Sequence, residues 1–301
     1  MERYIHFNSW LKNKFGERTL KICVDGGFTC PNRDGACGIG GCIFCGERGS
    51  GENTKRIAIR QQVENFLSSY KGTRANKFIV YFQNFSNTYA KVEELRKKYN
   101  EALFDDRIVG LSIATRPDCI NKEIVELLKE YSQKYFVMVE LGFQTSNEDV
   151  AKKINRGYNN KVFEDAAKML KDANIFVVGH IMVGLPNETI KDVLNTVEYL
   201  NKNIVDGVKI HSTYVLQNTK LNEMYNDGIY SSIDMDFYVD AVAQIISNLN
   251  KEIVVCRITG DPPKGILVAP EWQAHKKLVV NAINRKLEKN NIIQGEKNER
   301  S

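Results

Sequence analysis

The sequence has no window of eighteen apolar residues, the length a membrane-crossing helix needs, so no transmembrane helix is expected. Its opening stretch, MERYIHFNSWLKNKFGERTL, lacks an apolar core followed by a small-residue cleavage site. No signal peptide is expected, and the chain reads as cytoplasmic. No internal repeat and no low-complexity linker interrupts the 301 residues. One domain with a C-terminal extension is the simplest division, with a core over 1–250 and an extension over 251–301. Strong charge of either sign is also missing: 42 Lys and Arg against 37 Asp and Glu leave +5. Most of that excess lies beyond residue 250, where 10 basic residues face 6 acidic ones. A basic end segment suits phosphate contact, and it equally suits a solvated helix face.

Seven cysteines is an odd number, and five of them fall between Cys23 and Cys45. In a chain read as cytoplasmic they suggest ligands or buried thiols, not a disulfide framework.

After that cluster, short β-branched or aromatic runs alternate with amphipathic stretches. The runs are Leu20–Asp25, Lys77–Gln83, Ile108–Arg116, Phe136–Gln144, Ile175–Leu185 and Gly207–Val215. The helical stretches are Arg56–Tyr70, Lys91–Phe104, Lys122–Tyr135, Asn160–Ala173, Glu188–Asn201 and Asp234–Asn250. Strands that are apolar nearly throughout fit a parallel sheet covered by helices on one face and filled on the other. Six βα units are too few for a closed eight-stranded barrel. The expected fold is therefore an α/β partial (β/α)6 barrel of the TIM type, with a doubly wound open sheet as the alternative. The extension reads as one strand and turn, EIVVCRITGDPP, then a helix over Glu271–Asn290, then a polar end expected to fray.

The cysteine loop, CPNRDGACGIGGCIFCGERGSG, follows the first strand and so lies at the end of a parallel barrel that carries chemistry. Eleven residues separate Cys30 from the Cys42–Cys45 pair, and Cys37 lies between. Glycines 35, 38, 40, 41, 46, 49 and 51 would let the backbone wrap an inorganic core. Four cysteines also fit a structural zinc site. An iron–sulfur cluster held by three thiolates differs in leaving one iron open, and it needs a cofactor pocket around it.

The motifs C-P-N-R-D-G…G-G-C-x-F-C, Y-F-Q-N-F-S-N-T-Y-A, E-L-G-F-Q-T, N-R-G-Y and H-I-M-V-G-L-P-N-E-T resemble the radical S-adenosylmethionine superfamily. Within it the chain is similar to the branch of the Elongator catalytic subunit, and to small bacterial members with C-x11-C-x2-C spacing. The chain is expected to have no room for the acetyltransferase domain that the Elongator subunit also carries. The resemblance implies a 4Fe–4S cluster on Cys30, Cys42 and Cys45, with Cys37 outside the ligand set. It implies S-adenosylmethionine as the second cofactor, cleaved reductively to a 5′-deoxyadenosyl radical, and an electron donor such as flavodoxin or ferredoxin.

By the same resemblance Gln144 would meet the cofactor's ribose and Arg156 its carboxylate, since a guanidinium takes a carboxylate bidentately. Gln83 and Asn84 stand where the superfamily often has Gly-Gly-Glu, and would accept the amino group. Thr115 and Arg116 end a strand and face the mouth. His180 is at a ribose-contacting position, and Phe44 would shield the cluster. Glu140, Glu188 and the Gly184–Pro186 turn read as orienting or structural groups. The branch acts on wobble uridine in tRNA, and some small bacterial members convert 5-carboxymethylaminomethyluridine to 5-aminomethyluridine. A tRNA partner agrees with the basic residues Lys276, Lys277, Arg285, Lys286 and Lys289. It also agrees with aromatics able to stack a flipped base, Phe82, Phe85, Tyr89, Tyr158 and Tyr214. Lys209 and His211 would contact substrate or a phosphate. A small-molecule or protein substrate, and a non-catalytic iron–sulfur or zinc protein, are the alternatives.

Overall fold

The structure is a computed structural model that describes residues 2–49, 54–202 and 204–298. Gly51, of the cysteine-loop glycines, lies outside them. The chain opens with helix α1 (Phe7–Phe15) and strand β1 (Thr19–Val24). Helices and strands then alternate: α2 (Ile59–Leu67), β2 (Lys77–Phe82), α3 (Val92–Ala102), β3 (Ile108–Thr115), α4 (Lys122–Ser132), β4 (Phe136–Gln144). Two helices, α5 (Glu148–Lys153) and α6 (Asn160–Asp172), lead to β5 (Phe176–Val183), α7 (Ile190–Asn201) and β6 (Gly207–Ser212). The last third holds β7 (Val215–Leu216), α8 (Lys220–Asn226), α9 (Met235–Asn248), β8 (Val254–Arg257), β9 (Leu267–Ala269) and α10 (Lys276–Lys289).

Side-chain caps start the helices: Asn121 caps α4, Asn159 caps α6, and Thr189 with Asp192 forms a reciprocal box on α7. The main sheet runs in the order β1-β2-β3-β4-β5-β6-β8, parallel throughout. Crossovers in sequential order put the connecting helices α2, α3, α4, α6, α7 and α9 on one face, so the sheet curls around its other face. The result is the partial barrel expected, and the strand read in the extension joins its sheet as a seventh. β8 comes from the extension and is short, but it hydrogen-bonds to β6 and completes the sheet. One apolar core, including Val80, Leu111, Phe143, Val197 and Ile245, lies between sheet and helices and takes in α10 through Val279, Ile283 and Leu287.

The barrel's inner face has two levels. Near the strand N-termini, Phe7 and Leu11 of α1 pack on Ile79, Met138, Val178 and Val254. Helix α1 therefore plugs that end, and His6 pairs with Val255 across the barrel's open seam. As far as Asn298, the last residue described before the end, the polar segment is held and not frayed as expected. Gln294 donates to the carbonyls of Asn250 and Ile253, both at 2.7 Å, and accepts from the Ile5 amide at 2.8 Å. No helix among the described residues is long and apolar enough to cross a membrane.

Candidate functional site

The cysteine loop leaves β1 and is folded by its own polar side chains. Asn32 donates to the Asn155 carbonyl at 2.7 Å, and Asn155 donates to the Gly41 carbonyl at 2.8 Å. Arg33 gathers the carbonyls of Cys45 and Gly46 at 2.7 and 2.6 Å. Backbone bonds tie Ile43 to Ile154 and Leu221. Gly41 and Gly157 have φ of 78° and 81°, the left-handed region where glycine is at home. A Cβ on Gly157 would also stand 3.1 Å from the Asn32 amide oxygen. The C-P-N-R and N-R-G-Y segments are two halves of one cradle.

This cradle brings Cys30, Cys42 and Cys45 to the wall of one cavity of about 250 Å³ at the C-terminal end of the strands. Cys37 is exposed and does not line it. Burial, then the neighbouring Cys45, pushes the Cys42 thiol up to about 12. Left to itself that thiol stays protonated, and it becomes a thiolate only where a cation replaces the proton. Among the described residues no three His, Cys, Asp or Glu side chains close on a single ion. All three thiols line the one cavity, with Cys42 within electrostatic reach of Cys45 and Cys30.

Phe44, Gln83, Thr115, Gln144 and His180 line the same cavity. Gln144 takes a left-handed conformation, φ 64°, beside a register shift between β4 and β5. Tyr158 donates to the Gly142 carbonyl and lies 3.3 Å from the Gln144 amide oxygen. Thr115 is bonded to Thr88 at 2.7 Å.

Two of the expected cofactor contacts are not on the wall. Asn84 is fully buried, one residue past Gln83, and turns away to bond Thr54 at 3.0 Å. Arg156 is also fully buried. Its guanidinium donates to the carbonyls of Phe143 and Thr145 at 2.9 and 2.8 Å, to the Tyr158 carbonyl at 2.9 Å, and to Asn160 at 3.0 Å. Its remaining donor meets the Glu148 carboxylate at 3.3 Å, so it holds the end of β4 in place with no donor left for a cofactor. Arg116 does face the cavity, stapled to Asp118 at 2.6 Å and donating to the Arg156 carbonyl at 2.9 Å.

Beneath the cavity lies a charged floor. Glu140, on β4, accepts from Lys21 at 2.6 Å, lies 2.9 Å from His180 Nε2, and pairs with Lys209. Burial alone would push Glu140 upward, but Lys209, Lys21 and His180 outweigh it and hold it well below the usual carboxylate range. Burial, then Lys209, brings His180 down to about 4, so its ring is neutral. Burial brings Lys209 down to about 8 against the pull of Glu140. Lys209 therefore serves the floor and is not spare for a substrate.

His211 lines the cavity, as do Phe85, Tyr158 and Tyr214, whereas Phe82 belongs to the core and Tyr89 stands outside the lining. The sequence reading missed Met182, Ser212 and Arg257 on the wall. A wider, open depression lies at the other end of the barrel among Lys14, Phe104, Asp105 and Phe136, and holds none of the candidates.

The family model of the radical SAM superfamily matches residues 30–200, and that of the radical SAM C-terminal domain matches residues 205–289. The chain is 37% identical to Bacillus subtilis YtqA over 297 residues, covering 98% of this chain and 92% of that one. It is 32% identical to Escherichia coli YhcC, covering 88% and 86%. Drosophila melanogaster Elongator complex protein 3 is 32% identical over 52% of this chain and 28% of its own length. The solved archaeal Elp3 of Methanocaldococcus infernus superposes with a TM-score of 0.69 at 18% identity, over 92% of this chain and 64% of that one. The radical SAM coproporphyrinogen III oxidase of Escherichia coli gives 0.53 at 15%, over 76% and 54%. At such identities the superpositions speak of the fold.

Proposed function

The chain belongs to the radical S-adenosylmethionine superfamily and is an enzyme of its Elongator-like branch, and from that premise we propose that it modifies the wobble uridine of tRNA, converting 5-carboxymethylaminomethyluridine to 5-aminomethyluridine. The observation that carries the chemistry is convergence: three thiols of one loop and four polar side chains of separate strands, Gln83, Thr115, Gln144 and His180, meet in one cavity. The substrate class rests on the kinship with Elongator proteins and on Phe85, Tyr158 and Tyr214, which offer ring faces to a flipped base.

The donor set fits the implied cofactors. Cys30, Cys42 and Cys45 would hold a 4Fe–4S cluster, and three thiolates on one cavity wall would leave its fourth iron open to the cavity. When bound, the cluster and S-adenosylmethionine supply a one-electron reduction that yields a hydrogen-abstracting carbon radical. The chain's own residues orient and shield. Gln144, fixed by Tyr158, would hold the ribose; Gln83 would accept from the amino group; Phe44 and Met182 would give the adenine an apolar shelf. Arg116, set by Asp118 and by the Arg156 carbonyl, is the cation on the wall nearest the cysteine cradle's partner loop. It takes over the carboxylate role that Arg156 cannot fill. Neutral His180 presents its ring to the cavity while Glu140 fixes its orientation. An electron carrier of the flavodoxin or ferredoxin type would reduce the cluster.

The deciding experiment is mass spectrometry of tRNA nucleosides from cells with and without the protein. Loss should leave 5-carboxymethylaminomethyluridine accumulated and 5-aminomethyluridine depleted. Identical profiles would sink the tRNA reading and leave the radical chemistry standing.

A further inference from the structure

Strand β8 breaks the alternation of its own side chains. Val254 packs into the inner plug and Val255 into the outer core, as period two requires. Cys256 then returns to the inner face. The next residue, Arg257, should point out into the helix layer. It does not, because the ladder to β6 slips there: Val208 pairs with Val255, but Lys209 pairs with Arg257, leaving Cys256 as an extra residue. A bulge of this kind re-aims one side chain. Here it turns a guanidinium into the barrel beside Lys209, whose own side chain lies inside.

Arg257 has no evident protein partner for that charge. It lines the cavity, yet among the described residues it makes no hydrogen bond or ion pair. Its electrostatic neighbours include the floor groups Lys209, His180, His211 and Tyr81, with Cys23 of β1 and Tyr238 of α9 beside them, and none of these is a carboxylate. The nearest cavity carboxylate by sequence, Asp261, is paired with Lys276 at 2.8 Å. Glu140 is already shared among Lys21, His180 and Lys209. A second group awaits a partner in the same place: His211 Nε2 is buried and unbonded, and His211 lines the cavity. A cation seated among the floor groups cannot easily serve a nucleic-acid backbone, whose phosphates stay at the rim. It can serve a small anion carried inward on the end of a side chain.

We infer that Arg257 and His211 form the subsite for the carboxylate on the substrate's base substituent, so that the guanidinium selects a uridine bearing a carboxymethylamino group over one whose substituent is uncharged. This rests on the wobble-uridine reading above. The subsite lies on β6 and β8, at the far edge of the strand order from β1, which the curl of the sheet brings back towards Cys23, and it lines the same cavity as the cysteine loop. Anchoring the far end of the substituent there would leave its carbons lying over the middle of the cavity.

The test uses the reconstituted enzyme and two anticodon stem-loops, one with 5-carboxymethylaminomethyluridine and one with its methyl ester. Losing one charged hydrogen-bond pair corresponds to about 10- to 100-fold. The wild-type enzyme should prefer the acid over the ester by that factor in kcat/KM, and Arg257→Gln should bring the preference close to one, while Arg257→Lys keeps part of it. The Kd for S-adenosylmethionine, measured separately by equilibrium dialysis, should not move. Equal wild-type use of acid and ester overturns the inference without needing a variant. So does an Arg257→Gln enzyme that keeps the preference, or one whose S-adenosylmethionine affinity falls, which would give the guanidinium to the cofactor. A wild-type enzyme inert on both stem-loops overturns the tRNA reading itself, and this inference with it.

Discussion

The lower and upper halves of the barrel interior are made by the same strands and behave as opposites. On β4 and β5 the lower inward side chains are Phe136, Met138, Phe176 and Val178, closed over by α1. Two residues further along each strand the inward positions become Glu140 and His180, and then Gly142, Gln144 and Met182 around the cavity. The lower half stabilises by burial alone, and any apolar side chain of the right volume would serve. The upper half buries charge, which is tolerated at Glu140 because Lys21 and Lys209 pair with it, while Arg257 is left facing the cavity. One strand can therefore be fixed at one end and chemically specific at the other.

The sharpest break in this contrast is at the cavity wall. Cys30→Ala, Cys42→Ala or Cys45→Ala should each abolish a cluster of about four irons and four sulfides after anaerobic reconstitution. Cys37→Ala should keep it, as shown by iron and sulfide analysis, because that thiol is exposed and away from the lining. Next comes the floor. Glu140→Gln leaves Lys21 and Lys209 facing each other unneutralised and should cost about 3–5 kcal/mol in denaturant unfolding. Leu11→Ala, in the plug, should cost about 2–5 kcal/mol. The two differ in their salt and pH response: only the floor variant should change it.

The pH response itself gives a smaller effect. His180 holds its proton at about 4 in the folded chain against 6.5 when free. Between those values the unfolded chain binds more protons, so stability falls as pH drops from 6.5 towards 4. Glu140, held below its ordinary value, adds to the loss at the acid end. His180→Asn should remove roughly 2 kcal/mol of that slope in unfolding curves taken from pH 7 to pH 4.

The smallest effect belongs to the outer surface. Lys276 and Lys286 are already paired with Asp261 and Asp240. Only Lys277, Arg285 and Lys289 of the basic set are left for phosphates. Each lost contact should flatten the plot of log affinity against log salt by about one unit. Lys277→Glu should act most, since α10 starts beside the cavity residue Asp261 and runs away from the mouth. A tRNA affinity indifferent to salt would remove α10 from the interface.

The contrast also explains what could be read in advance. Phe136–Gln144 appears in the sequence with the bounds it has in the fold, because an apolar run broken only by Glu140 and bounded by polar stretches permits little else. Spacing and glycine content marked the cysteine loop but left zinc and Cys37 open; the choice of Cys30, Cys42 and Cys45 came from the resemblance. Asn84 and Arg156 were misplaced because the chain turns at strand ends, where alternation no longer tells which way a side chain faces. Arg257 was invisible for the opposite reason: a bulge overrides alternation inside a strand that is otherwise regular. Helix α1 carries an ordinary amphipathic pattern, and nothing in it announces that it enters the barrel and does not lie against the helix layer.

That plug has a consequence during synthesis. Leu11 leaves the ribosome among the first residues, but its seat includes Val254, and the Ile5 amide waits for Gln294. As long as β8 is missing, the greasy face of α1 lacks part of its cover and the seam between His6 and Val255 stays open. A nascent protein of this design exposes that face until β8 arrives. A ribosome stalled before Val254 would release chains with six strands of the main sheet built and the barrel still uncorked.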